Sequence, residues 1–300
     1  MKTKSKSVLR VVCQSFGGVV CLGVVMLIAS SAQAQNLFVA NFRSGIINEF
    51  TPGGVQSTFA SGLGSDGPVG LAFNSTGDLF VSNLNSWKIT EITPGGAQST
   101  FASQLDAPFG LAFNRAGDLF VACFLGGNIV EITPSGVEST FVSGLNEPTG
   151  LAFNSAGDLF ELDYGSGNII EITPSGVEST FTSGLNAPYG LAFNSAGNLF
   201  VANATTGIIN EFTPDGLKST FASGLGIPAG LAFNSAGDMF VANGYGTIIE
   251  ITPDGTQSTF ASGLDNPNGL AFQPVPEPSA LGLLAVGAVA LLVRRRRLLS

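Results

Sequence analysis

Short apolar runs rich in Ile, Val, Phe and Thr alternate with polar turns along most of the chain, and this pattern repeats about every 40 residues. The third copy predicts strands at 110–114, 118–122, 128–133 and 138–143. Asn154–Asp158 places Gly where a turn needs positive φ, and Thr133–Gly136 places Pro and Gly as a type I turn prefers. Each copy therefore predicts four short antiparallel strands.

The phase of the repeat predicts a closed ring. The element Gly-Leu-Ala-Phe occurs six times, but the first copy lacks it and the last copy, Gly269–Gln273, consists of nothing else. One complete unit is therefore made by joining the two ends of the chain, which removes exposed sheet edges. We expect an all-β fold, a six-bladed β-propeller of four-stranded blades over residues 35–273, with the first blade closed by residues 269–273.

The first 34 residues are typical of a secretory signal peptide. A basic start, Lys2–Arg10, precedes the apolar stretch Phe16–Ala29 and the small-x-small pattern Ala32-Gln33-Ala34. We expect signal peptidase to cleave after Ala34, once the secretion machinery has engaged the chain. Only Cys123 then remains, so the mature chain forms no internal disulfide.

Residues 274–300 have the features of a second targeting segment. Pro276, Glu277 and Pro278 precede the apolar run 279–293, and an arginine cluster follows, comprising Arg294, Arg295, Arg296 and Arg297. As a helix, this run reaches about 22 Å against a hydrocarbon core of about 30 Å, so it predicts a short, transient membrane anchor. The arginines should stay cytoplasmic, which leaves the repeats outside.

These three parts, in this order, resemble the PEP-CTERM sorting tail. The resemblance implies an exosortase as partner, cleavage near Pro-Glu-Pro, and delivery across the inner membrane to the cell surface or extracellular polysaccharide. An ordinary tail anchor is the alternative.

The charge of the expected propeller excludes some partners. It holds 20 of the 21 acidic residues of the chain, all but Glu277, and four of the 12 basic ones, so its net charge is about −16. Nucleic acid and anionic lipid are poor partners for such a surface.

The consensus of the repeats reads Pro-x-Gly-Leu-Ala-Phe-Asn and then Gly-Asp-Leu-Phe-Val-Ala-Asn. This motif resembles the repeats of NHL propellers and of gluconolactonase and streptogramin-lyase propellers. The resemblance spans residues 35–273 and specifies a fold rather than a function. The lyases of this group depend on histidines, and the chain has none.

The turns after Val-Ala-Asn and the connections before Pro-x-Gly should meet at one end of the ring, which we call the loop face. The two kinds of hairpin turn should form the opposite end, the hairpin face. Between repeats, the loop face varies in sequence. Its candidate ligand-binding aromatics are Phe42, Trp87, Phe109, Phe124, Tyr164, Tyr189 and Tyr245. They either stack on a ligand, with carbohydrate the natural candidate, or fill gaps between blades.

One repeat position on this face holds short polar residues: Asn41, Asn83, Asp163, Asn203 and Asn243, with Cys123 as the sixth member. They either bind a ligand or bond the turn that follows the strand. Cys123 has no histidine partner, so a structural thiol is favoured.

The fourth copy departs from the pattern twice, because Glu161 replaces Val and Asp163 replaces Asn. Two residues apart on a strand, both carboxylates point to one side about 6.6 to 7 Å apart. We expect protonation, exposure or a bound cation such as Ca²⁺ or another divalent ion, between blades four and five beside Tyr164 and Tyr189. The resemblance to gluconolactonases, which bind a divalent metal through Glu, Asn and Asp, implies a metal.

Two functions follow. One is a non-catalytic surface or matrix protein that binds a glycan, peptide or partner protein. The other is a metal-dependent hydrolase of lactonase type that uses Glu161, Asp163 and neighbouring Asn side chains. The regularity of the repeats favours the first. No EF-hand loop, Walker motif, Gly-x-Ser-x-Gly elbow or Cys/His zinc spacing occurs.

Overall fold

A computed structural model describes residues 35–64 and 67–274, and this part of the chain is all-β. Its strands form six four-stranded antiparallel sheets, so the predicted six-bladed β-propeller is confirmed. The expected signal peptide and apolar tail lie outside these residues. Within the described ranges, no helix has the length and apolar character needed to cross a membrane.

Each blade contributes one inner strand near the axis, two middle strands and one outer strand. The first blade contains β24 (Pro267–Phe272), β1 (Leu37–Asn41), β2 (Ile46–Phe50) and β3 (Gln56–Ala60). Blade two contains β4 (Pro68–Phe73), β5 (Leu79–Asn83), β6 (Lys88–Ile92) and β7 (Gln98–Ser103), and blade three contains β8 (Pro108–Phe113), β9 (Leu119–Cys123), β10 (Asn128–Ile132) and β11 (Glu138–Ser143). Blade four contains β12 (Pro148–Phe153), β13 (Leu159–Asp163), β14 (Asn168–Ile172) and β15 (Glu178–Thr182), and blade five contains β16 (Pro188–Phe193), β17 (Leu199–Asn203), β18 (Ile208–Phe212) and β19 (Lys218–Ala222). Blade six contains β20 (Pro228–Phe233), β21 (Met239–Asn243), β22 (Thr247–Ile251) and β23 (Gln257–Ser262).

The two ends of the propeller meet in the first blade, as the phase of the repeat predicts. β24 pairs antiparallel with β1, with Leu37 opposite Phe272. The Gln273 N–H donates to the Asn36 carbonyl at 3.0 Å. In blade two, the covalent hairpin makes the equivalent bond between Asn74 N–H and the Asp78 carbonyl, also at 3.0 Å. Hydrogen bonds thus replace a chain connection, and the ring is closed.

Phenylalanines fill the space between neighbouring blades. The Phe120 ring of β9 contacts Phe141 of the same blade edge-on at 5.0 Å between centroids, and Phe153 of blade four at 5.1 Å. Equivalent triplets recur around the ring, for example Phe80 with Phe101 and Phe113. Edge-to-face contacts of this kind add to the free energy gained from burial. The core of the molecule is therefore six interblade layers.

A ring of glycines lets the inner strands converge on the axis. A Cβ atom on Gly110 would overlap the Thr149 carbonyl oxygen, and one on Gly190 would overlap the Ala229 carbonyl oxygen. Each inner strand begins at a proline. In blade three, β8 starts at Pro108, two residues earlier than predicted. A bulge after this residue lets Pro108 pair with Cys123 and so extends both strands.

Candidate ligand-binding face

Backbone hydrogen bonds tie each turn of the loop face to the connection that enters the same blade. In blade four, the Tyr164 N–H donates to the Glu147 carbonyl at 3.2 Å, and the Gly165 N–H donates to the Asn146 carbonyl at 3.0 Å. A further bond, from Leu185 N–H to the Gly167 carbonyl at 2.9 Å, holds the connection to the next blade. Because backbone groups carry these bonds, side chains at the turn tips are free to differ between blades.

The polar ring of the loop face is buried and holds these loops in place. Asn203 donates from Nδ2 to the Ile208 carbonyl at 3.3 Å, and its Oδ1 accepts the Asn186 N–H at 3.2 Å. Asn41 and Asn243 make the matching Oδ1 bonds to connection N–H groups, and Asn83 donates from Nδ2 to Thr90 Oγ1 at 3.0 Å. Asn41, Asn203 and Asn243 thus bond both the segment that follows the strand and the connection before the blade, whereas Asn83 makes only Nδ2 bonds within the described residues.

Asp163 and Cys123 stand at the same position as these asparagines. The Asp163 carboxylate accepts the Asn146 N–H at 3.2 Å and the Ser166 N–H at 3.4 Å. For Cys123, burial and then the Asp106 charge raise the thiol pKa to about 12. A thiol that remains protonated is a weak nucleophile, which supports its structural role.

Glu161 is completely buried, and neither carboxylate oxygen has a hydrogen-bond partner. It stands opposite Leu151 on one side and Ile170 on the other. Both neighbours pack in a cluster with Ala122 and Ile129 of blade three. Directly opposite residues share a sheet face, so the Glu161 side chain lies between blades three and four. The expectation of a site between blades four and five is wrong for this residue.

Burial, followed by the nearby charges of Asp163 and Glu178, raises the pKa of Glu161 to about 9. The protonated form predicted as one outcome is therefore the form expected at neutral pH.

These residues do not fit a divalent cation. Ca²⁺ takes six to eight oxygen ligands, whereas the Asp163 oxygens already accept two N–H groups and Glu161 has apolar neighbours. In residues 35–64 and 67–274, no cluster of three or more His, Cys, Asp or Glu side chains could hold a metal.

Four of the predicted aromatics form a continuous row, which we call the aromatic row: Tyr189, Phe109, Phe124 and Tyr164. Centroids of Phe109 and Tyr189 lie 4.9 Å apart at 75°. Those of Phe109 and Phe124 lie 6.0 Å apart at 31°, and those of Phe124 and Tyr164 lie 6.2 Å apart at 58°. The row crosses from the inner strands of blades five and three to the turn tips of blades three and four. Within the row, Phe109 is buried and 36% of Tyr164 is exposed.

The inner end of the row borders a cavity of about 140 Å³ on the axis. All six inner strands line this cavity, mainly through Gly and Leu. The Tyr189 hydroxyl accepts a hydrogen bond from Asn268 Nδ2 at 2.9 Å across it, and burial raises the tyrosine pKa. None of the described residues that line the cavity carries a carboxylate, an amine or a thiol. The axis is thus suited to contact rather than to acid–base chemistry.

The other predicted aromatics stand apart from the row. Phe42 lies against Gly67, and Tyr245 is 73% exposed beside Gly226. Trp87 is exposed and has a φ of 57°, at a position where the other five blades have Gly. Gln104 is left-handed too, with a φ of 66°, and it also replaces a Gly of the other five copies. Aligning the repeats could have identified Gln104 before the structure did.

Together the fold and this face define a six-bladed β-propeller with a row of aromatic side chains that runs from two inner strands to the turns of the loop face. Residues 274–297 match the PEP-CTERM protein-sorting motif. A search of curated proteins gave no match.

Several solved structures share the fold at 18% sequence identity. A chain of a nidogen/laminin complex aligns over 81% of this chain and 99% of its own, with a TM-score of 0.73. A streptogramin B lyase aligns over 79% and 86%, with a TM-score of 0.64. A gluconolactonase of Xanthomonas campestris aligns over 69% and 83%, with a TM-score of 0.63. At this identity the likeness establishes the fold alone.

Proposed function

We propose that this protein is a non-catalytic binding module, exported and sorted by an exosortase, whose loop face binds glycans at the cell surface or in the extracellular matrix. The PEP-CTERM motif at residues 274–297 implies export and exosortase sorting. The aromatic row is the observation that supports glycan binding. Sugar rings present C–H faces that pack on aromatic rings, while the tyrosine hydroxyls offer hydrogen bonds to sugar hydroxyls.

The chemistry of the other candidates supports a non-catalytic role. Glu161 is buried among apolar side chains, and both oxygens of Asp163 accept backbone N–H groups. The Cys123 thiol has its pKa raised to about 12. General acid–base catalysis needs a group that reaches the substrate, whereas Glu161 and Cys123 are buried and the Asp163 oxygens accept backbone N–H groups.

The domain boundaries belong to the same proposal. Residues 1–34 would be removed during export, and exosortase would cleave near Pro276-Glu277-Pro278, leaving the propeller of residues 35–273. Mass spectrometry of protein from the cell surface of an exosortase-positive host should show both new termini. A mature protein that keeps Arg294–Arg297 would indicate an ordinary membrane anchor.

Glycan binding is tested with the mature exported protein on an array of soluble oligosaccharides, followed by calorimetry on those that bind. Replacing the two rings at the turn tips, Phe124→Ala with Tyr164→Ala, should weaken binding about tenfold or more, because each ring loses its contact with the sugar. Tyr245→Ala removes a tyrosine that lies outside the row and is 73% exposed, and it should leave the affinity unchanged. Binding to no glycan, or equal affinity in the row variant and the parent, would reject the proposal.

A further inference from the structure

Two exposed carboxylates flank the aromatic row. The Asp106 carbonyl accepts the N–H of Leu125, the residue after Phe124, at 3.2 Å. The Glu147 carbonyl accepts the Tyr164 N–H at 3.2 Å. Both side chains are exposed, and the backbone bonds hold each one beside the turn that carries a ring of the row.

The surrounding surface offers these carboxylates no basic partner on blades three and four. Among the described residues, the basic side chains are Arg43, Lys88, Arg115 and Lys218. Arg43 and Lys88 belong to blades one and two, and Lys218 lies on the outer strand β19 of blade five. Arg115 does belong to blade three, but it lies in a turn of the hairpin face, where it donates to the Ser155 carbonyl at 2.7 Å. The loop face over blades three and four is therefore anionic.

Aromatic faces and carboxylates favour the same kind of ligand. The face of an aromatic ring carries a negative quadrupole that attracts cations, and an exposed carboxylate attracts them through its charge. A neutral sugar would use the rings alone. A ligand with spaced positive charges would use the rings and both carboxylates.

We propose that the aromatic row, with Asp106 and Glu147, selects a glycan that carries protonated amino groups, such as a polymer of amino sugars with free amines. This inference rests on the proposed glycan-binding function and names its ligand class. The open row favours an extended chain over a small quaternary amine, because Tyr164 is 36% exposed and the described rings lie side by side rather than around an enclosed cage. The acidic propeller, with a net charge of about −16, attracts such a chain over longer distances.

The test is calorimetry of the mature protein with three oligosaccharides of equal length: a glucosamine oligomer, its fully N-acetylated counterpart and a neutral glucan. Near pH 6, the glucosamine oligomer should bind about tenfold tighter than the other two. The preference should disappear when the amines are deprotonated at higher pH. It should also shrink in about 1 M salt, where the Debye length is about 3 Å.

Charge variants separate the carboxylates from the net charge. Asp106→Asn with Glu147→Gln should abolish the preference for the amine and keep the affinity for the N-acetylated oligomer. The control, Glu138→Gln with Asp215→Asn, removes two carboxylates that lie away from the loop face and should keep the preference. Loss of the preference in both double variants would show that net charge alone selects the ligand, and would overturn the inference.

The remaining outcomes distinguish the two proposals. Equal binding of all three oligosaccharides would overturn the selectivity and leave the proposed function standing. Binding of none of them, together with no hit on the glycan array, would reject both. An oligolysine that binds the row as tightly as the glucosamine oligomer, with the same loss in Phe124→Ala/Tyr164→Ala, would assign the face to cationic peptides instead.

Discussion

The turns of the hairpin face and the turn tips of the loop face differ in the hydrogen bonds that their own side chains make. On the hairpin face, Asn154 Oδ1 accepts the N–H groups of Ala156, Gly157 and Asp158, each at 2.9 Å. Asn74, Asn114, Asn194 and Asn234 form similar turns in the other described hairpins of this kind. On the loop face, backbone groups bond the turn tips to the connections. The hairpin-face turns therefore depend on an Asn side chain at one position, whereas the loop-face turn tips can vary in sequence.

Both faces depend on a closed ring, so breaking the ring should have the largest effect. Ending the chain after Asn266 deletes β24 and exposes the edge of β1, all five residues of which are buried. We expect loss of the cooperative thermal transition in circular dichroism. A chain that ends after Pro274 keeps β24 and should melt like the parent. Equal melting temperatures for the two truncations would contradict the closure.

Glu161 should make stability depend on pH, in contrast to the valines at its position in the other blades. Its pKa rises from 4.5 to about 9 on folding. Below pH 4.5 both states are protonated and the shift costs nothing. Between pH 4.5 and 9 the unfolded state loses its proton first, so the free energy of unfolding falls by about 1.4 kcal/mol per pH unit.

Glu161→Val should therefore stabilise the protein by several kcal/mol at pH 9 and by much less at pH 5, as measured by urea unfolding. Glu161→Gln is the control, because it removes the titration but keeps a buried polar group. Parallel pH profiles for the parent and Glu161→Val would show that the carboxyl is solvated in solution.

These features show what the sequence could and could not predict. The phase of the repeat predicted the ring, because only a closed sheet pairs Gly269–Gln273 with the start of the propeller. Alternation along β13 put Glu161 and Asp163 on one side but did not say which blade that side faces. The row joins Phe109 to Tyr189, which are 80 positions apart in the sequence. Comparison of the repeats therefore predicted that both rings lie on the loop face, but not that they are in contact.

The asparagine of a hairpin-face turn should matter more to stability than an aromatic tip of the loop face. Asn154→Ala leaves three N–H groups without their acceptor, and water replaces it only in part. We expect a loss of about 1 to 2 kcal/mol in the free energy of unfolding. Tyr245→Ala should stay within about 0.5 kcal/mol of the parent, since the ring is 73% exposed. Equal losses in chemical denaturation would remove the difference between the faces.

The smallest effect on stability is expected at two loop-face positions where another residue replaces the Gly of the other repeats. Trp87 and Gln104 have left-handed backbones, which cost a residue with a Cβ about 1 kcal/mol. Gln104→Gly should raise the free energy of unfolding by roughly this amount. Trp87→Gly should raise it by less, because the contacts of the indole are lost. Gly184→Ala is the matched reverse change, at a glycine with a φ of 77° and open space around it. If Gly184→Ala were more stable than the parent, a left-handed backbone would not be costly for a residue with a Cβ.

Closure of the first blade also determines at which end of the propeller the chain enters and leaves. Gln35 Nε2 donates to the Gln273 carbonyl at 2.9 Å, so the chain enters and leaves the propeller side by side at the hairpin face. Pro276 is three residues beyond Gln273 and can reach no more than about 11 Å from that point. We infer that a protein tethered through its C-terminus would turn its hairpin face toward the tether and its loop face outward. The cleavage proposed near Pro276-Glu277-Pro278 would then take place close to the hairpin face.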